Sequence, residues 1–167
     1  MAGKALVDAD PALASVFDAI HAVEGLEDVN ADATELGSMV YAVKPGDGSA
    51  REQAASCQRV LGGLANITRE YATKRYRSNV MNWGMVPFQM EAEPAFEVGD
   101  YVFVPGVRAA LDGDLSSIPA YVVRVGQDGT AGTADRIELY VADMTPEERE
   151  IVKAGCLINY NRSKRGL

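Results

Sequence analysis

The chain has 167 residues, 47% of them hydrophobic, and a net charge of −8. That length suits one domain with a small appendage, and the apolar fraction can bury a core. The acidic balance argues against non-specific nucleic-acid binding and against docking on an anionic membrane, both of which need a basic face.

Near the N-terminus, Asp10 before Pro11 forms an N-cap and first-turn pair. Leu13, Val16, Phe17 and Ile20 follow at amphipathic spacing, so a helix is predicted over 10–24. Residues 25–37 are acidic and irregular, and 1–37 is expected as a lead-in to a main domain over 38–167. "SMVYAVK" (38–44) predicts a strand. A glycine-rich turn leads to a helix over about 50–61, and "LANIT" (64–68) reads as a short buried strand. A helix over 69–82 is expected next, with Thr68 or Ser78 as cap and Gly84 as its stop. "MVPFQM" is extended, because Pro87 disfavours helix before it.

In the last third, "DYVFVPG", "IPAYVVRVG" and "RIELYVAD" predict strands, and "VRAALDG" predicts a turn or two of helix. Thr145, Pro146 and Glu148 in "TPEEREIVKAGCLINY" are a strong helix start with a capping box. The basic tail "NRSKRGL" is expected to fray. The mixture predicts an α/β fold of layered elements with a mixed sheet and flanking helices, not a plain doubly wound sheet.

Cys57 and Cys156 each fall in a helix-like apolar pattern without a C-x-x-C partner, which predicts two buried thiols in a reducing cytoplasm. They cannot form a four-cysteine metal site. The one histidine, His21, has no ligand partner at metal spacing and is expected on a helix surface, so no metal is expected on this chain. No apolar run approaches the ~20 residues that span a bilayer. The opening "MAGKALVDADPALASVF" lacks the pattern of a signal peptide, and a cytoplasmic protein is expected.

The turn Gly46-Asp47-Gly48-Ser49-Ala50-Arg51-Glu52 is the candidate for a carboxylate-binding corner. Ser49 and Glu52 have capping-box spacing, a purely structural role. Three features add a functional reading. The two glycines permit positive φ and close approach of another group. The N–H groups and dipole of a helix start attract anions. Arg51 sits against that dipole, a position that makes sense if its guanidinium forks onto a carboxylate or phosphate. The spacing is not that of a P-loop.

"GDGSAREQAA" resembles the G-x-G-S-S-R-E-[HQ]-A motif in the C-terminal swivelling domain of the aconitase and isopropylmalate isomerase superfamily. "RVLGGLANITREYATKRYRSNVMNWGMVPF", "FEVGDYVFVPG" and "MTPEEREIVKAGCLINY" resemble the segments that follow, in order, over about 38–162. The resemblance implies a swivelling β/β/α domain that closes over a larger part holding a [4Fe-4S] cluster, and a hydro-lyase acting on a hydroxy-carboxylic acid. By motif position Ser49 would be the base and Arg51 would bind a substrate carboxylate, with Gly48 and Ala50 lining the site. Ala50 replaces the motif's second serine, so one substrate hydrogen bond is lost, and Gln53 replaces the usual histidine. The implied partners are cluster-bearing domains or a large subunit, and a small di- or tricarboxylate. Two alternatives stay open: the small subunit of an isopropylmalate isomerase-type heterodimer, and a non-catalytic module that binds an anion or a protein.

Elsewhere, Lys74, Arg75 and Arg77 read as a solvated helix face, with contact to another domain or to substrate as the alternative. Asn79 reads as a cap or a tie to a backbone group, Asn159 as a structural hydrogen-bonder, and Trp83 and Met85 as core, with a domain-facing apolar patch as the alternative.

Overall fold

The computed structural model describes residues 3–166. The first two residues of the opening segment and Leu167 of the basic tail lie outside them. The chain forms two compact units, each assembled from separate stretches: Met1–Leu36, Ala92–Pro105 and Ile118–Glu138 in one, Gly37–Glu91, Gly106–Ser117 and Leu139–Leu167 in the other. Mixed α/β content is confirmed, with the strands divided between a parallel and an antiparallel sheet.

The first unit holds α1 (Gly3–Ala9), α2 (Pro11–His21) and a short 3-10 turn at Ala31–Ala33. Asp10 caps α2 as the sequence predicts, accepting from the Ala12 amide at 3.0 Å. The apolar face of α2 buries Val16 and Ile20 against Val123, with Tyr101 and Phe103 alongside. His21 is half-buried, and its Nε2 meets the Val29 carbonyl oxygen at 2.8 Å. The strands are β4 (Tyr101–Phe103), β5 (Ile118–Val125) and β6 (Ala131–Leu139), in that order. The last begins five residues before Arg136, where the sequence placed it. The turn at 126–130 closes tightly, with the Thr130 amide held by the Asp128 carboxylate, so pairing starts at once.

The second unit is built on β1 (Ser38–Ala42), α3 (Arg51–Val60), β2 (Gly63–Thr68), α4 (Lys74–Asn82) and β3 (Val86–Gln89). The strands pair parallel in the order β1-β2-β3, so the helices are crossovers and alternation is strict within this stretch. Pro87 lies in the outermost strand of the ladder, where a missing N–H is tolerated. Trp83 and Met85 pack with Ala55, Tyr76 and Val80, as expected of core residues.

Three expectations are corrected in this unit. Thr68 does not cap α4: it is a fully buried strand residue, and Thr73 is the cap, accepting from the Tyr76 amide at 3.2 Å. The helix starts late because residues 69–73 bond the loop after β1 instead: the Glu70 and Ala72 amides donate to the carbonyls of Val43 and Pro45 at 3.1 and 2.9 Å. Arg77 is not part of a solvated face: its guanidinium donates to the carbonyls of Ala142 and Asp143, the latter at 2.8 Å. Lys74 and Arg75 are exposed. Neither cysteine is buried: Cys57 is exposed, on a helix whose one buried residue is Ala55, and Cys156 is half-buried.

The remaining helices of this unit are α5 (Val107–Ala110), α6 (Pro146–Lys153) and α7 (Leu157–Lys164). The capping box of Thr145 and Glu148 forms as predicted. Gly155, with φ of +83°, breaks the helix there. Asn159 ties the break by donating to the Ala154 carbonyl at 3.1 Å. The tail expected to fray is helical to Lys164.

Candidate functional site

Because β1, β2 and β3 run parallel, the loops that leave β1 and β2 emerge at one edge of the sheet, the edge where open α/β sheets bind ligands. Loop 43–50 follows β1 and carries Gly48, Ser49 and Ala50, with Arg51 as the first residue of α3. Loop 69–73 follows β2 and anchors it. Besides the two amide bonds described above, the Thr73 hydroxyl donates to the Gly46 carbonyl at 2.9 Å.

Ser49 is not the helix cap. The N-cap is Ala50, whose side chain can accept nothing, and no side chain caps this helix start. Glu52 is exposed and is not a capping partner. The expected capping box therefore does not form: placing Ala50 at the cap shifts the required spacing by one residue. Ala50 offers the amides of the first turn of α3 no side-chain acceptor, and none comes from the other described residues. Ser49 is exposed, and among the described residues its hydroxyl has no hydrogen-bond partner.

Arg51 is half-buried and folds back over the loop, with Nη2 donating to the Asp47 carbonyl at 3.4 Å. Its Nε is buried with no hydrogen-bond partner. The two glycines play different parts. Gly46 has φ of +100°, and a Cβ there would collide with the Tyr76 side chain. Gly48 has open space where a Cβ would stand and no positive φ, so a glycine is not required there.

Beneath the loops lies a polar layer that sequence reasoning did not single out. Gln58 donates to the Ala65 carbonyl at 3.0 Å and to the Asn66 side-chain oxygen. Asn66, fully buried, donates to the Tyr76 hydroxyl at 3.2 Å. The buried hydroxyls of Thr68 and Tyr71 make no well-formed hydrogen bond among the described residues, although the two lie near enough to interact. Burial raises the Tyr71 phenol well above its ordinary range; the nearby Thr68 hydroxyl opposes the shift, Tyr76 adds to it, and the Arg77 charge also opposes it. The signal available in the sequence was the pair Asn66 and Thr68, polar residues alternating through an apolar strand. Asn79 is half-buried, and among the described residues its side chain makes no hydrogen bond, contrary to the cap or tie expected of it.

Among the described residues, no three His, Cys, Asp or Glu side chains come together as a metal site. Cys57 and Cys156 are separate and free, so the side chains of this chain do not fit an iron–sulfur cluster. No helix among the described residues is long and apolar enough to cross a membrane.

Residues 31–93 match the family model of the aconitase C-terminal domain. That segment contains β1, the loop with Ser49 and Arg51, α3, β2, α4 and β3, so the resemblance read from the sequence holds there. The chain is also similar to the aconitase–ribosomal protein bL21m fusion protein of Schizosaccharomyces pombe, at 29% identity over 123 residues. The similarity covers 71% of this chain and 13% of that relative, so the chain spans a small part of the relative's length.

Proposed function

We propose that this chain, whose residues 31–93 carry the aconitase C-terminal domain pattern, serves as the swivelling domain of a hydro-lyase acting on a small di- or tricarboxylic acid. The observation that carries this reading is the uncapped start of α3: Ser49 and the Nε of Arg51 are both unengaged beside amides that lack a side-chain acceptor.

In this reading the guanidinium of Arg51 holds a substrate carboxylate, and the first-turn amides of α3 add neutral donors and the positive end of the helix dipole. Ser49 removes the proton next to that carboxylate. A serine hydroxyl in water is far too weak a base. In a closed site, with water excluded and fixed donors aimed at the oxygen, its alkoxide is stabilised. Ser49 is exposed on this chain, so closure must come from another part of the enzyme. That part would also hold the cluster, whose chemistry would be to polarise the departing hydroxyl group. Ala50 leaves one motif hydrogen bond unmade, which favours an acid other than citrate.

The test pairs the chain with a cluster-bearing part and follows hydration of unsaturated di- and tricarboxylates. Ser49→Ala lowers turnover by roughly 10²-fold or more, the scale of general base catalysis, with folding unchanged. Full activity in that variant overturns the reading. Tight binding of an acid by the chain alone points instead to a non-catalytic anion-binding module.

A further inference from the structure

The loop that carries Ser49 and Arg51 has no side-chain cap to fix it, and the contacts that hold it come from the next crossover. Gly46 is held between two residues of the next crossover. Its carbonyl accepts from the Thr73 hydroxyl at 2.9 Å, and its α-carbon faces the Tyr76 side chain so closely that a Cβ would collide with the Cβ and ring of that tyrosine. Tyr76 is itself fixed. It is 7% exposed, packs with Ala55, Val80 and Met85, and its hydroxyl accepts from Asn66, which in turn is held by Gln58. Gln58 lies on α3, the helix that the loop enters, and Asn66 lies on the central strand. The relay therefore ties α3, β2 and α4 to a single ring that abuts the loop. One residue beyond the abutment, the Asp47 carbonyl takes the Arg51 guanidinium.

We infer that Tyr76 is a positioning residue for the Ser49–Arg51 corner. Its ring sets the path of Gly46, and that path places the Asp47 carbonyl where it orients Arg51. Asn66 and Gln58 hold the ring in place. The consequence for acid binding rests on the reading of Ser49 and Arg51 given above; the order of the loop does not.

The experiment uses the 167-residue chain, labelled for NMR. Order parameters of amides 46–50, exchange of the Ala72 amide, and the shifts produced by citrate are compared in wild type, Tyr76→Leu, Tyr76→Phe and the core control Val80→Ala. In Tyr76→Leu the loop order parameters fall from about 0.85 to below about 0.6. The Ala72 amide exchanges about tenfold faster, and citrate binds about tenfold more weakly. Tyr76→Phe keeps the ring but loses the hydroxyl that Asn66 holds, so loop order falls only part of the way. Val80→Ala destabilises the fold without loosening the loop. Gly46→Ala attacks the same contact from the loop side, and must disorder it too even if Tyr76→Leu fails to fold.

A rigid loop in Tyr76→Leu or Gly46→Ala, or equal loosening in Val80→Ala, overturns the inference. A wild-type chain that does not respond to citrate behaves as a half-site without its closing part, and loop order alone then decides the role of Tyr76.

Discussion

Gly84 and Gly155 lie in backbone contact: a Cβ on Gly84 would run into the Gly155 carbonyl group. Gly84 follows α4 with φ of +71°, and Gly155 breaks the chain between α6 and α7 with φ of +83°. A side chain at residue 84 meets both a left-handed backbone and a rigid neighbour. Gly84→Ala is therefore expected to destabilise the fold by about 3 kcal/mol or more, combining conformational strain with overpacking. Urea denaturation checks it, and a loss below about 1 kcal/mol would show that the two segments separate easily.

The glycines of loop 43–50 make a sharper pair. Gly46→Ala is expected to cost about 2 kcal/mol or more, because φ is positive and Tyr76 fills the space. Gly48→Ala, in open space without positive φ, is expected to be neutral or to stabilise by about 0.5 kcal/mol. Thermal melts of the two variants decide whether only the first glycine is structural.

Ser49→Ala should leave stability within about 0.5 kcal/mol of wild type, since Ser49 caps nothing. Thr145→Ala, which removes a formed capping box, should cost about 1 kcal/mol. A similar loss in both variants would mean that Ser49 caps α3 in solution.

Arg77→Leu removes two charge-assisted bonds to the carbonyls of Ala142 and Asp143. Asp143 has φ of +48°, an uncommon conformation for a residue other than glycine. A loss of about 2–3 kcal/mol is expected, read from urea midpoints. Lys74→Leu, on an exposed side chain of the same helix, should change little.

Tyr71 predicts a pH dependence. Its phenol is held above the ordinary value of 10.0, chiefly by burial. The native state then keeps a proton that the unfolded chain releases. The stabilisation is fully present below about pH 10 and is lost as pH rises above it, by at most about 1.4 kcal/mol per pH unit. Tyr71→Phe should flatten that slope. Denaturation midpoints at about pH 9 and about pH 11 test the sign, and an unchanged slope in Tyr71→Phe would assign the alkaline loss to another group.

Local signals in the sequence were read well where one residue decides the outcome within its own turn. Asp10 and Thr145 cap the helices they were expected to cap, and Gly84 stops α4. These outcomes depend on backbone groups two to four residues away. Thr68 failed as a cap for the opposite reason: residues 69–73 were captured by carbonyls at positions 43, 45 and 46, and no local pattern encodes that pairing. The cysteines failed likewise, because apolar periodicity names a helix without saying which face meets a neighbour.

By itself, the sequence determined the order of the principal strands and helices, the acidic charge, and the motif in which one residue separates Ser49 from Arg51. The tertiary structure decided whether that serine is consumed as a cap or left unengaged. It also decided which glycine is indispensable and which tyrosine stands behind it. The physical reason is range: propensity and capping act across one turn of backbone. The contact of Tyr76 with Gly46 and the bond from Asn66 to Tyr76 exist only after β2 pairs beside β1 and α4 packs against α3.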